Sequence, residues 1–215
     1  MTRHTIIVAD DHPLFRDALV QTISAIIENL EVKHAGSLDE VVQVINDTPD
    51  PDLVLFDLKM PGAQGFSGLI YLRSQFPDIP VVVVSASEEP PVIRRVLDLG
   101  ASGFIPKSAS MSDMQQAVRA VLAGEVWVPP DFSAEDDSES EEAVLARRLT
   151  SLTPQQMRVL MMLREGLLNK QIAYHLDVSE ATIKAHVSAI LQKLNVDSRT
   201  QAVIVAAKVD GGLGE

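Results

Sequence analysis

Three short, unbroken apolar runs constrain the fold of this chain most: IIVA at 6–9, LVLF at 53–56 and VVVV at 81–84. A strand with one face in water alternates apolar and polar residues, because successive side chains point to opposite faces. Unbroken runs are typical of strands whose two faces are both covered by helices. The runs therefore predict a parallel sheet that is buried between helices.

The stretches between these runs show helical periodicity. Strands are predicted at 5–9, 31–35, 53–56, 81–84 and 103–105, and helices at 14–28, 38–46, 65–75, 91–99 and 111–123. Ser37 and Glu40 have the spacing of a capping box at the start of the second helix. Five strands that alternate with five helices predict a parallel, doubly wound α/β domain.

A change of composition at residue 128 marks the end of this domain. The stretch 128–148, VPPDFSAEDDSESEEAVLARR, combines a proline pair with acids and serines, which cannot bury enough apolar surface to become ordered. It predicts a mobile acidic linker that becomes helical from Glu141. Helical patterns resume at 154–165, 169–175, 180–194 and 200–208. We therefore predict an α/β domain at 1–127, a linker at 128–148 and an all-α domain at 149–215.

The net charge of −12 is distributed unevenly. Residues 150–215 hold 7 Lys and Arg against 6 Asp and Glu, so the acidity of the whole chain does not exclude a DNA partner. The absence of cysteine excludes disulfides, a thiol nucleophile and a cysteine-ligated zinc site. No apolar run approaches the ~20 residues that span a bilayer, and the first residues lack a signal-peptide pattern. A soluble cytoplasmic protein without a membrane partner is expected.

Chemically useful side chains stand where four of the predicted strands end. Asp10 and Asp11 follow the first strand, Asp57 the third, Ser85 the fourth, and Lys107 the fifth after a proline. Ligands of an open parallel sheet bind outside the carboxyl ends of its strands, so these side chains are expected to converge. Three converging carboxylates need a counter-charge, and Mg²⁺ supplies it with its preference for oxygen ligands.

This set of residue types is suited to accepting a phosphoryl group. A carboxylate can act as the nucleophile and form an aspartyl-phosphate. Lys107 offers a point charge to phosphate oxygens, and Ser85 offers a hydroxyl donor. A single acid after a strand is more often only a helix cap. The joint pattern at four strand ends favours a phosphoacceptor site.

Four motifs resemble the receiver domain of bacterial two-component response regulators: VADDHPLFRDAL, LVLFDLKMPGAQG, VVVSAS and GASGFIPKS, within residues 3–124. The resemblance implies a flavodoxin-like, five-stranded parallel (βα)5 fold and phosphorylation of Asp57 by a sensor histidine kinase. It also implies a Mg²⁺ site of three carboxylates and one backbone carbonyl, from Asp10, Asp11, Asp57 and Lys59.

Three further residues match functional positions of the receiver family. Ser85 occupies the position of the switch hydroxyl, Phe104 that of the switch aromatic and Lys107 that of the phosphate-contacting lysine. Many members carry tyrosine where Phe104 stands, so a signal that uses the phenol oxygen is absent, although burial of the ring can still report the state. Pro106 precedes the lysine, whereas a proline after it is common in the family, and this leaves the loop geometry open.

The helix predicted at 180–194 presents two contrasting faces on a helical wheel. An apolar stripe is expected to pack inward: Ile183, Val187, Ile190, Leu191 and Leu194. The opposite face is free of acids and consists of Lys184, Ala185, Ser188 and Gln192, flanked by Thr182 and Lys193. Such a face is more often only solvated, but a short helix and a tight turn precede it, as in a helix-turn-helix. The polar face is therefore expected to enter the major groove, with phosphate contacts at its border from Asn169, Lys170, Arg199 and Thr200.

The stretch from Leu152 to Val203 resembles, end to end, the LuxR-type domain of the NarL/FixJ subfamily. The resemblance implies contacts with double-stranded DNA from Lys170, Thr182, Lys184, Ser188 and Lys193. It implies that the final helix, near 201–208, serves dimerisation. A domain charge near +1 releases few counterions, so a monomer is expected to bind its operator weakly and to depend on dimerisation.

These features predict a response regulator in which phosphorylation of Asp57 controls DNA binding and transcription through a homodimer and release of interdomain masking. Its own chemistry would be limited to Mg²⁺-dependent autophosphorylation from acyl phosphates and autodephosphorylation. One alternative is an atypical receiver that takes no phosphate and is controlled by a partner or a constitutive dimer. A Mg²⁺ phosphatase is disfavoured because Lys59 stands where its second acid is needed. A flavin carrier is disfavoured because no Gly/Ser/Thr-rich phosphate loop follows the first strand.

Overall fold

The computed structural model describes residues 3–63, 65–132 and 141–210, without the side chains of 141–143 and 208–210. The chain divides into two compact units, Met1–Asp137 and Ser138–Glu215. Residues 133–140 of the predicted linker lie outside the described residues. Within the described residues, no helix combines the length and the apolarity that a membrane span requires.

The first unit alternates strands and helices along the chain. Its strands are β1 (His4–Ala9), β2 (Leu30–Ala35), β3 (Leu53–Phe56), β4 (Val81–Ser85) and β5 (Gly103–Pro106). Its helices are α1 (Pro13–Ser24), α2 (Leu38–Asn46), α3 (Phe66–Gln75), α4 (Pro90–Asp98) and α5 (Met111–Leu122). All strand pairs are parallel and the strand order is β2-β1-β3-β4-β5. The predicted doubly wound α/β fold is confirmed.

Helices cover both faces of the central strands, as the unbroken apolar runs predicted. Ile6, Val8 and Leu55 lie on the face that packs against α1 and α5. On the other face Phe56 is fully buried, and its ring lies so close to Gly68 of α3 that a Cβ there would be only 2.8 Å away. Each fully buried aliphatic or aromatic side chain contributes roughly 1.5–3 kcal/mol relative to exposure. The sheet is therefore a rigid platform for the loops at its carboxyl edge.

Helix starts follow the sequence signals more closely than helix ends. Ser37 caps α2 by accepting a hydrogen bond from the Glu40 amide, while the Glu40 carboxylate accepts one from the Gly36 amide. Helix α1 was predicted to reach residue 28 but ends at Ser24. Asn29 has a left-handed φ of 57°, which turns the chain into β2. Residues 25–29 contain neither glycine nor proline, so the helical periodicity of the sequence continues beyond the last residue of α1.

The segment after α5 returns to the free edge of β5. The Phe104 amide donates to the Trp127 carbonyl at 3.0 Å, and the Trp127 amide donates to the Ser102 carbonyl at 3.2 Å. A Cβ on Gly103 would lie only 2.7 Å from the Trp127 carbonyl oxygen, so this close approach requires glycine. We refer to residues 126–128 as the edge segment. The sequence analysis did not predict this pairing.

The described part of the second unit, residues 141–210, contains helices and no strand, as predicted. It consists of α6 (Glu141–Thr150), α7 (Pro154–Arg164), α8 (Asn169–His175), α9 (Glu180–Leu194) and α10 (Arg199–Asp210). Thr153 and Gln156 form the reciprocal capping box that starts α7, and Gly166, at a φ of +84°, follows its end. Ser179 caps α9 through the Thr182 amide. Ile183, Ile190 and Leu194 of α9 are fully buried, whereas Val187 and Leu191 are half-buried.

Candidate functional site

Two aspartates continue the strand ladder by one residue beyond β1 and β3. The Asp10 amide donates to the Ala35 carbonyl at 3.0 Å, and the Asp57 amide donates to the Ala9 carbonyl at 2.9 Å. These backbone bonds hold both residues at the carboxyl edge of the sheet. The side chains are nearly inaccessible, with 3% of Asp10 and 1% of Asp57 exposed. Two carboxylates so far removed from water require compensating charge.

Asp11 and His12 complete a compact group with these two aspartates. Ligand atoms of Asp10, Asp11, His12 and Asp57 all lie within 4.8 Å of one another. His12 precedes α1; its amide donates to Asp10 Oδ1 at 2.7 Å, and its Nδ1 lies 2.8 Å from Asp11 Oδ1. The group is rich in the hard oxygen donors that Mg²⁺ prefers. The contact of His12 with both acids was not predicted from the sequence.

Lys107 supplies positive charge to the buried pair. Its Nζ lies 2.7 Å from Asp10 Oδ2 and 2.8 Å from Asp57 Oδ2, and 4.8 Å from the centre of the Phe15 ring. Burial of the ammonium acts to lower the Lys107 pKa, but the hydrogen bonds and negative charges of Asp10 and Asp57 outweigh burial and raise it above its ordinary value. The lysine therefore stays protonated at neutral pH.

Backbone contacts fix the loops that carry the other candidate residues. The Lys59 amide donates to Asp57 Oδ1 at 3.1 Å, so both carboxylate oxygens of Asp57 are engaged. The Lys107 amide donates to the Ser85 carbonyl at 2.8 Å, which extends the pairing of Ser85 with Pro106. Ser85 and Phe104 are fully buried. The unusual position of Pro106 thus leaves the lysine directed at the acids.

Arg16 is a second neighbour of the site that sequence reasoning missed. Its Nη1 donates to the Asp10 carbonyl at 3.0 Å, from one turn inside α1. The residue lies six positions after Asp10, on the helix that follows the first strand. Its type and spacing resemble those of an ordinary exposed helical arginine, so no signal in the sequence distinguishes it. The contact helps to fix the backbone that carries the acid pair.

The predicted DNA-binding residues divide into two groups in the second unit. Side chains that point into solvent are those of Lys170, Thr182, Lys184, Ala185, Ser188, Gln192 and Thr200. Among these, Thr182, Lys184 and Ser188 have contacts only within α9 and its cap, whereas the other three contact residues of other segments of the unit. Arg199 donates to the Asn169 side chain at 3.3 Å and to the Leu167 carbonyl, and Lys193 donates to the Ser151 carbonyl at 2.7 Å. The second group therefore has structural partners besides any DNA contact.

Comparisons with protein families match both units. A family described as the response regulator receiver domain matches residues 6–119. A second, described as bacterial regulatory proteins of the luxR family, matches residues 150–206. The first match spans more than half of the chain and includes the acid group, Ser85 and Lys107.

Several curated proteins are similar over almost the whole chain. The "Glycerol metabolism activator" of Pseudomonas putida is 44% identical, and the alignment covers 96% of each chain. The "Nitrate/nitrite response regulator protein NarL" of Escherichia coli K12 is 32% identical over 93% of each chain. Among solved structures, a Salmonella typhimurium RcsB response regulator shares the fold with a TM-score of 0.55 and 24% identity, covering 97% of this chain and 100% of that one.

The first unit has a cluster of carboxylates and a lysine at the carboxyl edge of a parallel sheet, and the second unit has a helix-turn-helix. This combination is typical of two-component response regulators. The chain belongs to the response regulator family, with a receiver domain and a luxR-type DNA-binding domain. The resemblance predicted from the sequence motifs is confirmed.

Proposed function

We propose that a sensor histidine kinase phosphorylates Asp57 and that this modification controls sequence-specific binding to double-stranded DNA, and hence transcription. The observation that carries the proposal is the environment of the Asp57 carboxylate. One oxygen accepts a hydrogen bond from the Lys59 amide and the other from the Lys107 ammonium, in a site nearly closed to water. Such fixed donors stabilise the charge of a phosphoryl group during transfer and afterwards.

The proposed cofactor is Mg²⁺. The donor set fits the ion, because Asp10, Asp11 and Asp57 place carboxylate oxygens within 4.8 Å of one another and Asp11 remains partly exposed to water. These three residues, with the backbone carbonyl of Lys59, would hold it. When bound, Mg²⁺ supplies positive charge to the phosphoryl oxygens.

The transfer itself needs little from the chain beyond positioning. An Asp57 carboxylate oxygen forms a bond to phosphorus as the phosphorus–nitrogen bond of the kinase phosphohistidine breaks, and the imidazole leaves with the electron pair. The Lys107 ammonium, which donates to Asp57 Oδ2, would then donate to an oxygen of the phosphoryl group. The Ser85 hydroxyl would donate to the phosphoryl group, and Phe104 would repack with it. The receiver thereby shifts between two states.

DNA recognition is proposed for the exposed face of α9, with Lys184, Ala185, Ser188 and Gln192 in the major groove and Thr182 at its flank. Lys170 and Thr200 would contact phosphates, together with Asn169 and Arg199. A solved structure of RcsB contains two dimers bound to two parallel DNAs. We propose that this chain also binds DNA as a homodimer, which forms through α10. Phosphorylation would release the interdomain masking, and the protein would act in the cytoplasm.

The proposed functional division is a receiver at 1–127, a linker at 128–148 and a DNA-binding domain at 149–215.

The test compares operator binding by the wild type and Asp57→Ala, each with and without acetyl phosphate and Mg²⁺. Footprinting on genomic DNA first locates the operator. The donor should tighten binding by the wild type and leave Asp57→Ala unchanged. Identical curves for the wild type with and without the donor would refute phosphorylation control.

Intact mass after the same treatment separates this function from an atypical receiver. A single phosphate adduct that is absent from Asp57→Ala supports the phosphoacceptor. A wild type that never gains the adduct, while still binding the operator, supports control by a partner or by constitutive dimerisation instead.

A further inference from the structure

Helix α6 belongs structurally to the DNA-binding unit, although the luxR-family match begins only at residue 150. Ala146 and Leu149 of α6 are fully buried, and the helix packs against both α9 and α10. A helix that served only as a tether would not bury its apolar residues against the recognition helix. The packing therefore suggests that α6 contributes to the position of α9.

Two cations connect the ends of α6 and α9 reciprocally. Lys193, in the last turn of α9, donates to the Ser151 carbonyl just after α6 at 2.7 Å. Arg148, in the last turn of α6, donates to the carbonyl of Leu194, the last residue of α9, at 3.3 Å. The last carbonyls of a helix lack partners within the helix and carry its partial negative charge. Each helix thus supplies the cation that caps the other.

The way in which α9 ends makes this arrangement possible. Asn195 adopts a left-handed conformation with a φ of 54°, and the Val196 amide turns back to the Leu191 carbonyl at 3.0 Å. The Leu191 carbonyl therefore has a backbone partner, and the Leu194 carbonyl accepts its hydrogen bond from the Arg148 side chain. The two caps act at the same end of the recognition helix, so together they restrict how α9 can tilt against α6.

We propose that Lys193 and Arg148 are positioning residues for DNA binding, which hold the recognition helix in its productive orientation through these reciprocal caps. Lys193 then acts through the orientation of α9 and not through the direct DNA contact that the family resemblance implies for it. The inference rests on the proposed recognition of DNA by α9. It also gives α6, most of which lies within the predicted linker at 128–148, a contact with the recognition helix.

Salt dependence distinguishes the two roles of Lys193. A lysine that neutralises a phosphate releases a counterion, so its removal reduces the slope of log affinity against log salt by about 1. A positioning residue leaves the number of neutralised phosphates unchanged. Its removal weakens binding at every salt concentration by the same factor.

The experiment uses the full-length, acetyl phosphate-treated protein with Mg²⁺ and its footprinted operator. Lys193→Met, Arg148→Met and the double variant are titrated between about 50 and 200 mM salt, below the melting temperature of each variant. Lys184→Met is the matched control, because Lys184 lies exposed on the recognition face of the same helix. Lys193→Arg tests whether another cation at this position restores binding.

Each single variant should weaken binding roughly fivefold with an unchanged slope, because a hydrogen bond to a charged group is lost. The double variant should lose less than the product of the two single losses, since both residues fix one orientation. Lys193→Arg should bind within about twofold of the wild type, and Lys184→Met should reduce the slope by about 1.

Two results would overturn the inference. In the first, Lys193→Met reduces the slope as Lys184→Met does, while Arg148→Met binds normally, which makes Lys193 a phosphate contact. In the second, both variants lower the melting temperature but bind the operator with wild-type affinity, which makes the caps merely structural. A wild type that binds no operator in either phosphorylation state contradicts the proposed function itself, so the two failures are distinguishable.

Discussion

The ammonium of Lys107 lies 2.8 Å from Asp57 Oδ2, although fifty positions separate the two residues in the chain. The parallel sheet brings them together, because Asp57 follows β3, Lys107 follows β5, and β4 lies between these strands. The same ammonium is 2.7 Å from Asp10 Oδ2. Lys107 therefore compensates two buried carboxylates at once. This dual role links the stability of the receiver to its affinity for cations.

Lys107→Met should destabilise the metal-free protein and tighten its binding of Mg²⁺. Without the ammonium, Asp10 and Asp57 are buried charges with less compensation, which we expect to reduce the free energy of unfolding by about 2 kcal/mol at pH 7. The same change removes a positive charge that repels the ion, so the Mg²⁺ dissociation constant should fall by at least roughly threefold. Urea unfolding in EDTA and calorimetric titration with Mg²⁺ measure the two effects.

Lys33→Met is the control for this substitution. Lys33 pairs with Glu31 at 2.7 Å on β2, and both side chains are partly exposed, so its removal should change the stability little and the Mg²⁺ affinity not at all. Equal losses of stability in the two variants would show that a lysine in the buried group has no special role.

The stability that Lys107 contributes should disappear in alkaline solution. Its pKa is raised in the folded protein, so the contribution is complete below the unfolded value of about 10.4 and is lost as the pH rises through the folded pKa. The difference in unfolding free energy between the wild type and Lys107→Met, measured in EDTA, should be constant from pH 7 to about 9.5 and shrink above about 10.4. A difference that shrinks already between pH 7 and 9 would contradict the raised pKa.

Gly103→Val should detach the edge segment from β5. The new Cβ would lie 2.7 Å from the Trp127 carbonyl oxygen, so either the backbone shifts or the hydrogen bonds of Trp127 break. We expect a loss of about 2 kcal/mol in the free energy of unfolding, as for other overpacked buried sites. The fluorescence of Trp127, the one tryptophan of the chain, should move toward that of exposed indole.

Gly36→Ala is the matched control for this change. Its added Cβ would meet only side-chain atoms, at 3.6 Å and beyond, so fluorescence and stability should stay close to those of the wild type. An unchanged Trp127 spectrum in Gly103→Val would mean that the edge segment tolerates the side chain.

Sequence reasoning was successful where local chemistry alone determines the structure. The apolar runs determine which residues form the buried strands, and Ser179 determines where α9 begins because its hydroxyl caps the Thr182 amide. The convergence of Asp10, Asp57 and Lys107 followed from one topological rule about strand ends. The roles assigned to these residues remain predictions.

Features that depend on distant chain segments were not predictable in this way. The edge segment pairs with β5 because the chain returns to that strand after α5. The residues around Trp127 show no pattern that predicts this pairing. The helical wheel assigned Lys193 to the flank of the recognition face, but it carries no information about Ser151, which lies 42 positions earlier. Periodicity indicates which face is buried and does not indicate the element it packs against.

The Glu180–Lys184 ion pair on α9 should limit DNA binding. Their charged atoms are 3.1 Å apart and both side chains are substantially exposed, so the prediction that the recognition face is free of acids is wrong at its first turn. The carboxylate competes with DNA for Lys184, so Glu180→Gln should tighten operator binding roughly threefold at low salt. Because the effect is electrostatic between exposed groups, it should fade as the salt concentration rises.

Lys184→Gln should act in the opposite direction at the same pair. It should weaken binding and lower the salt slope by about 1, and the double variant should bind no better than Lys184→Gln alone if Glu180 acts mainly through this lysine. Fluorescence anisotropy with labelled operator over a range of salt measures all four proteins. If Glu180→Gln tightens binding equally with and without Lys184, the carboxylate acts on the phosphates directly, and the ion pair is not the restraint.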